Sequence, residues 1–429
     1  MEKIFHLQAN KTTVSREILA GVTTFLTMAY ILAVNPALLG EAGMPVGGVF
    51  TATVIASAIA TLVMAFLANL PVALAPGMGL NAFFAFTVVI GMGYTWQLAL
   101  TAVFFEGILF LILSLFNVRE TIIKAIPENL KKAVSVGIGL FIALIGFKNA
   151  GIIVGNESTL VSLGNITSGT ALLGIIGLLI TIILYANKVP GSILIGIIVT
   201  TIIGIPLNIT PIQSGFSPIS MPEEPLFWQF DFSNIFSFQF FTVFFTFLFV
   251  DIFDTVGTLV GVATKAGFIK KNGEIPNVKQ ALIADAVGTV AGAVLGTSTV
   301  TSYVESTAGV ATGGRTGLAS VATGILFLLA LFFSPVFLLI PSAATAPALI
   351  FVGFLMMQAV ITVDFANPTE GIPAFLTIVM MPFAYSISEG IVYGLLSFVI
   401  LKACTGRFKD VSIVTWVLFI IFILRFFLK

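Results

Sequence analysis

Apolar residues run along this chain in blocks of about 20, the length at which a helix crosses the hydrocarbon core of a bilayer, and polar residues are confined to the gaps. The blocks predict spans at 18–39, 48–69, 71–92, 96–116, 130–149, 170–186 and 190–206. A polar, proline-bearing stretch, 207–235, interrupts them. A second series follows at 238–263, 278–295, 297–312, 317–340, 344–363, 371–385 and 387–404, and then a last apolar helix at 411–428. The polar start, MEKIFHLQANKTTVSRE, leads into a retained first span rather than a cleaved signal.

Seven is an odd number, so two homologous halves of seven spans must have opposite orientations. The expected fold class is therefore an all-α polytopic membrane protein built as a 7+7 transmembrane inverted repeat, an architecture of many secondary transporters. Its expected units are residues 1–206, an extracytoplasmic linker 207–235, a second repeat 236–405 and the C-terminal helix 406–429. The positive-inside rule agrees with an N-terminus in the cytoplasm. Cytoplasmic loops then hold Arg119, Lys124, Lys131, Lys132, Lys188, Lys265, Lys270, Lys271, Lys279, Arg315, Lys402, Arg407 and Lys409. The linker has no Lys or Arg, and Lys148 is the main exception. Whether 411–428 crosses the membrane or lies along its surface stays open.

In each half the third segment departs from the pattern. LPVALAP has the alternation of a strand and two prolines before GMG opens a helical run. TSTVTSYV is rich in β-branched residues before ESTAGVATGG becomes helical. Each reads as a short strand joined to a half-helix. Irregular backbone at this depth is tolerated where it lines a cavity or is buried in protein. The half-helix N-termini would aim N–H groups at a ligand's acceptors, with Gly77, Gly79 and Gly309 as structural support.

Composition narrows the class. The chain has 429 residues, 58% of them hydrophobic and 9% charged, with a formal net charge of zero, which gives no reason to propose a nucleic-acid partner. A single cysteine, Cys404, excludes an internal disulfide and any cysteine-based metal site. The single histidine, His6, precedes the first span, so no histidine relay operates inside the membrane. No cofactor or metal is expected, and no enzyme activity.

Carboxylates carry the candidate chemistry. A charged side chain at mid-bilayer costs roughly 3 kcal/mol on insertion scales, so an acid in an apolar run is a functional candidate by default. Asp251 and Asp254 lie one helical turn apart in FTVFFTFLFVDIFDTVGTLVGV, and Glu305 opens the second half-helix. Two acids side by side in a low-dielectric site cannot both ionise cheaply, which suits proton coupling by Asp251, Asp254 and Glu305. Asn81 holds a position in the first half-helix comparable to that of Glu305, and its amide offers both a donor and an acceptor. Phe83, Phe84 and Phe253 are close enough in sequence to stack on a flat ligand. Asp285 and Glu106 read as scaffold groups tied to the broken segments, and Arg315 as the cytoplasmic end of the second half-helix. Such a cavity suits a neutral, planar, N–H-rich solute better than an anion.

The stretches ALAPGMGLNAFFAF, FVDIFDTVGTLVGVATKAG and TSTVTSYVESTAGVATGGRTGL resemble the nucleobase/ascorbate permeases, and within them the hypoxanthine/guanine/adenine branch. The resemblance implies a core domain of spans 1–4 and 8–11 that carries the substrate against a gate domain of spans 5–7 and 12–14, often in a homodimer. It implies that carboxylates of spans eight and ten bind the base with help from the amide of span three, which here are Asp251, Glu305 and Asn81. Ser306 follows Glu305 where the uracil and xanthine branches have Asn, which favours a 6-oxopurine or adenine. The implied function is proton-coupled import of purine bases across the cell membrane. Two rivals are an anion transporter of similar architecture and an intramembrane aspartyl protease. The first is disfavoured by the absence of a soluble domain expected after Lys429. The second needs aspartates on two different helices.

Overall fold

The computed structural model describes residues 2–115, 127–167, 169–212, 215–268 and 275–427; Arg119, Lys124, Lys270 and Lys271 lie outside the described residues. The first repeat comprises α1 (Val14–Met28), α2 (Ile31–Glu41), α3 (Val46–Val63), β1 (Leu74–Pro76), α4 (Met78–Ala82), α5 (Trp96–Leu115), α6 (Glu128–Asn149), α7 (Gly169–Ala186) and α8 (Ser192–Gly204). The second comprises α9 (Phe238–Ala266), α10 (Val278–Leu295), β4 (Val300–Ser302), α11 (Ser306–Ala311), α12 (Gly317–Ala330), α13 (Ser342–Met357), α14 (Pro368–Phe383) and α15 (Ile387–Cys404). A last helix, α16 (Ile413–Phe427), packs on α15. Among the described residues, ten helices are long and apolar enough to cross a membrane. Polar side chains start several of them. Thr13 caps α1, Ser237 caps α9, and Asn367 followed by Pro368 opens α14.

The first span runs from Val14 to Glu41 with an irregular turn at Ala29–Tyr30, and Pro36 within α2 has no N–H to offer the carbonyl four residues before it. After α6, Ile153–Asn156 (β2) and Leu160–Leu163 (β3) pair as an antiparallel hairpin.

The third segment of each half is a strand followed by a half-helix. Beyond α4 the first half-helix continues in wider, π-type turns over Phe83–Gly91. Strands β1 and β4 pair antiparallel, Leu74 with Ser302, Ala75 with Thr301 and Pro76 with Val300, so the two halves cross at one buried ladder. Unpaired backbone groups at this depth cost several kcal/mol each, and hydroxyls from neighbouring helices meet them here. Thr61 of α3 bonds both the N–H and the carbonyl of Leu74, at 3.0 and 3.2 Å. Thr289 of α10 donates to the Val300 carbonyl at 2.9 Å. Spans two and nine thus do the same work in the two repeats.

The helices pack in two groups. In one, α10 lies on α3 and α5, α12 on α1 and α3, and α9 on α5 and α11. In the other, α6 lies on α13 and α14, α7 on α8 and α13, and α14 on α15. The 207–235 segment is tied to the first group. Trp228 N–H donates to the Val294 carbonyl (2.8 Å), Asp231 N–H to Thr101 Oγ1 (2.9 Å) and Ser220 N–H to the Phe332 carbonyl (3.1 Å). At the end of α6 opposite Lys131 and Lys132, the groups touch: Asn149 Nδ2 donates to Glu41 Oε1 at 2.7 Å. Beside it, the Lys148 ammonium sits 5.3 Å from the centre of the Tyr385 ring.

Candidate functional site

A cavity of about 560 Å³ lies between the two groups, within the size range of small-molecule sites. From the first group, Asp254, Gly257 and Thr258 of α9 line it, with Val304 and Glu305 at the mouth of the second half-helix. Ser135 and Ile138 of α6 and Met356 of α13 form the facing wall. The cavity reaches the end of α6 that carries Glu128, Lys131 and Lys132, where Glu128 is 72% exposed.

The expected acids therefore sort into two layers. Asp254 and Glu305 face the cavity. Asp251, Asp285 and Glu106 are fully buried behind it. Helix geometry explains why neighbours on α9 separate: three residues advance the helix by about 300°, so Asp251 points about 60° away from Asp254. The hydroxyl of Thr255 sits 3.4 Å from Asp251 Oδ1, 2.9 Å from Asp285 Oδ2 and 2.7 Å from Thr301 Oγ1. Asp285 also accepts from Ser302 Oγ at 3.2 Å, and Glu106 accepts from Thr299 Oγ1 at 3.0 Å. These acids hold β4 and the residues leading into it. Buried polar groups are costly unless partnered, and this network supplies partners on both sides.

Asn81 is also buried and does not reach the cavity. Its Oδ1 accepts from Ser298 Oγ, and its Nδ2 lies 3.4 Å from the Pro76 carbonyl, so it joins the first half-helix to the chain entering β4. Phe83 is buried against Phe247, ring centres 4.8 Å apart, and Phe84 is buried beside it. The side chain of Phe253 lies outside the described residues. The glycines are close-approach positions. A Cβ on Gly77 would come within 2.5 Å of Thr301 Cγ2, and one on Gly79 within 2.8 Å of Ile138 Cγ2. A Cβ on Gly309 would meet the Thr24 hydroxyl and the Ala20 carbonyl of α1. The Arg315 guanidinium donates to the Val310 carbonyl at 2.7 Å and closes the far end of the second half-helix.

Two tyrosines escaped the sequence reading. Tyr30, at the irregular turn in the first span, donates to Glu305 Oε1 at 2.7 Å, and Tyr303 donates to the Pro76 carbonyl at 2.5 Å. The available signal was scarcity: a chain with 42 Phe and only 6 Tyr places hydroxyls on buried rings selectively. Ser135, Ile138 and Met356 on the facing wall carry no charge or motif that would mark them in sequence. Among the described residues, no cluster of three His, Cys, Asp or Glu is placed to hold a metal.

Residues 15–393 match the permease family. The chain is 48% identical to a guanine/hypoxanthine permease of Bacillus subtilis (strain 168), with 100% of both chains covered. It is 45% identical to an adenine permease of Escherichia coli (strain K12), over 99% of this chain and 95% of that one. Among solved structures it superposes on the transmembrane domain of a cyanobacterium bicarbonate transporter with a TM-score of 0.65, covering 89% of this chain and 97% of that chain. At 15% identity that likeness concerns the fold alone. Motifs, inverted repeat and full-length similarity agree: the chain belongs to the nucleobase/ascorbate permease family of membrane transporters.

Proposed function

We propose that this permease imports purine bases of the guanine, hypoxanthine and adenine type together with protons, by alternating access. The observation that carries this reading is the pairing of Asp254 and Glu305 on one cavity between two helix groups. Their oxygens accept hydrogen bonds from ring and exocyclic N–H groups of a base, and two acids on one cavity offer a place to carry a proton. Asp251, Asn81, Asp285 and Glu106 act behind this pair by fixing β1, β4 and the half-helices. The relatives named as guanine/hypoxanthine and adenine permeases support the cargo class. An anion cargo is disfavoured because carboxylates face the ligand space.

The group holding α1 to α5 and α9 to α12 acts as the core that carries the base, and the group of α6 to α8 with α13 to α15 as the gate. With Lys131 and Lys132 at the cytoplasmic end, the cavity opens inward, the N-terminus is cytoplasmic, and the contact between Glu41 and Asn149 closes the outside.

The test is uptake of labelled hypoxanthine by proteoliposomes, competed by a panel of bases, with and without a protonophore. Saturable uptake competed by purines and abolished by the protonophore is expected. Glu305→Gln and Asp254→Asn should each lower uptake by about ten- to a hundredfold, the worth of a hydrogen bond to a charged group. Gradient-driven uptake that survives intact in Glu305→Gln would refute the assignment.

A further inference from the structure

The first span presents small residues along one face to the second half-helix. Ala20 and Thr24 lie against Gly309, and Thr27 Oγ1 reaches the Glu305 carbonyl at 3.4 Å. These positions are spaced as one helical stripe, so α1 and α11 approach with little side-chain bulk between them. An irregular turn follows at Ala29–Tyr30, and the buried Tyr30 phenol lies next to the Glu305 carboxylate, 2.7 Å from Oε1. Glu305 lines the cavity, whereas Tyr30 does not, so the phenol approaches from the protein side.

We propose that Tyr30 is the positioning residue for Glu305: by occupying Oε1 from behind, it fixes the rotamer of the carboxylate and leaves Oε2 to meet the base. An acid at the mouth of a half-helix otherwise has several rotamers, and a ligand that must order it loses affinity to that ordering. A phenol is a suitable clamp. It donates one strong hydrogen bond to a carboxylate and carries no charge that would compete with a neutral cargo. The irregular turn at Ala29–Tyr30 lies where the phenol meets Glu305.

The inference rests on the purine reading, and the test separates the two. Wild-type protein in proteoliposomes is assayed for uptake of labelled hypoxanthine, guanine and adenine. Absence of saturable uptake for all three would fail the purine reading itself. Given wild-type uptake, Tyr30→Phe, which keeps the ring and removes one oxygen, is expected to raise KM about tenfold, with maximal rate within about twofold and melting temperature unchanged. An unaltered KM in folded Tyr30→Phe overturns the proposal, and so does a loss of maximal rate at constant KM. Should Tyr30→Phe fail to fold, Tyr30→3-fluorotyrosine replaces it. This variant fills nearly the same space and donates more strongly, so KM should fall below the wild-type value. A KM equal to that of wild type would overturn the proposal, because a purely space-filling ring is indifferent to donor strength.

Discussion

At the scale of single residues, the same chemical group does different work one helical turn apart. Asp254 faces the cavity while Asp251 is bound into the network of Thr255 and Asp285 that holds β4. Asp251→Asn should therefore keep the KM for hypoxanthine within about threefold of wild type while lowering thermal stability. A buried acceptor changed to a donor leaves a group unsatisfied, at about 1–3 kcal/mol. Asp254→Asn should show the opposite division, with uptake lowered about ten- to a hundredfold and the melting temperature nearly unchanged. Measuring both quantities on both variants decides the assignment. Lys402 gives a separate residue-level expectation. Its buried ammonium bonds Glu370 at 2.8 Å and lies 3.5 Å from Asp410, tying α14 and α15 to the segment after them. Lys402→Met should destabilise the protein by about 2 kcal/mol, seen as a lower melting temperature, because Glu370, with only one-fifth of its side chain exposed, loses its ion-pair partner.

At the scale of elements, nearly all the spans were legible because lipid imposes a simple rule: about 20 apolar residues or a satisfied exception. The two exceptions could also be read, since strand-like spacing and glycine runs recur at matching places in the two halves. What could not be read was rotation and proximity. Asn81 and Phe83 sit in the first half-helix, and they pack against Ser298 and Phe247 and do not line the cavity. Beyond Glu128, Lys131 and Lys132 at the end of α6, the facing wall of α6 and α13 is apolar with one serine, which in sequence looks like lipid-facing helix. The hydroxyls of Thr61 and Thr289 show how an element depends on its neighbours. Thr289→Val should leave the Val300 carbonyl without its donor and reduce stability by about 1–2 kcal/mol, with substrate affinity affected less than stability. A melting curve with and without hypoxanthine would check this.

At the scale of the whole molecule, the two helix groups touch at one end and enclose the cavity towards the other. Lys148, the outlier in the charge pattern, belongs to that contact, held over the Tyr385 ring beside Glu41 and Asn149. If the groups exchange positions during transport, this contact must open in every cycle. With the exposed Cys404 replaced by serine, the pair Glu41→Cys and Asn149→Cys, bridged by a short bifunctional thiol reagent, should stop uptake, and reduction should restore it. Uptake unaffected by complete bridging would show that this end stays closed throughout.

The crossing of the two strands also bears on how the chain is made. The Ala73 N–H bonds the hydroxyl of Ser306, which lies 233 residues further along, and β1 has no strand partner before β4 exists. At roughly 5–20 residues per second of synthesis, the first half waits on the order of ten seconds or longer with an extended segment at bilayer depth. Thr61 satisfies Leu74 in the interval, but Ala75 and Gly77 have no such partner among the described contacts until Thr301 and Thr299 arrive. The ribosome therefore delivers a half-protein that cannot finish settling into lipid. The ladder of the third span is completed only once the tenth is synthesised, so the two halves join late in the making of the chain.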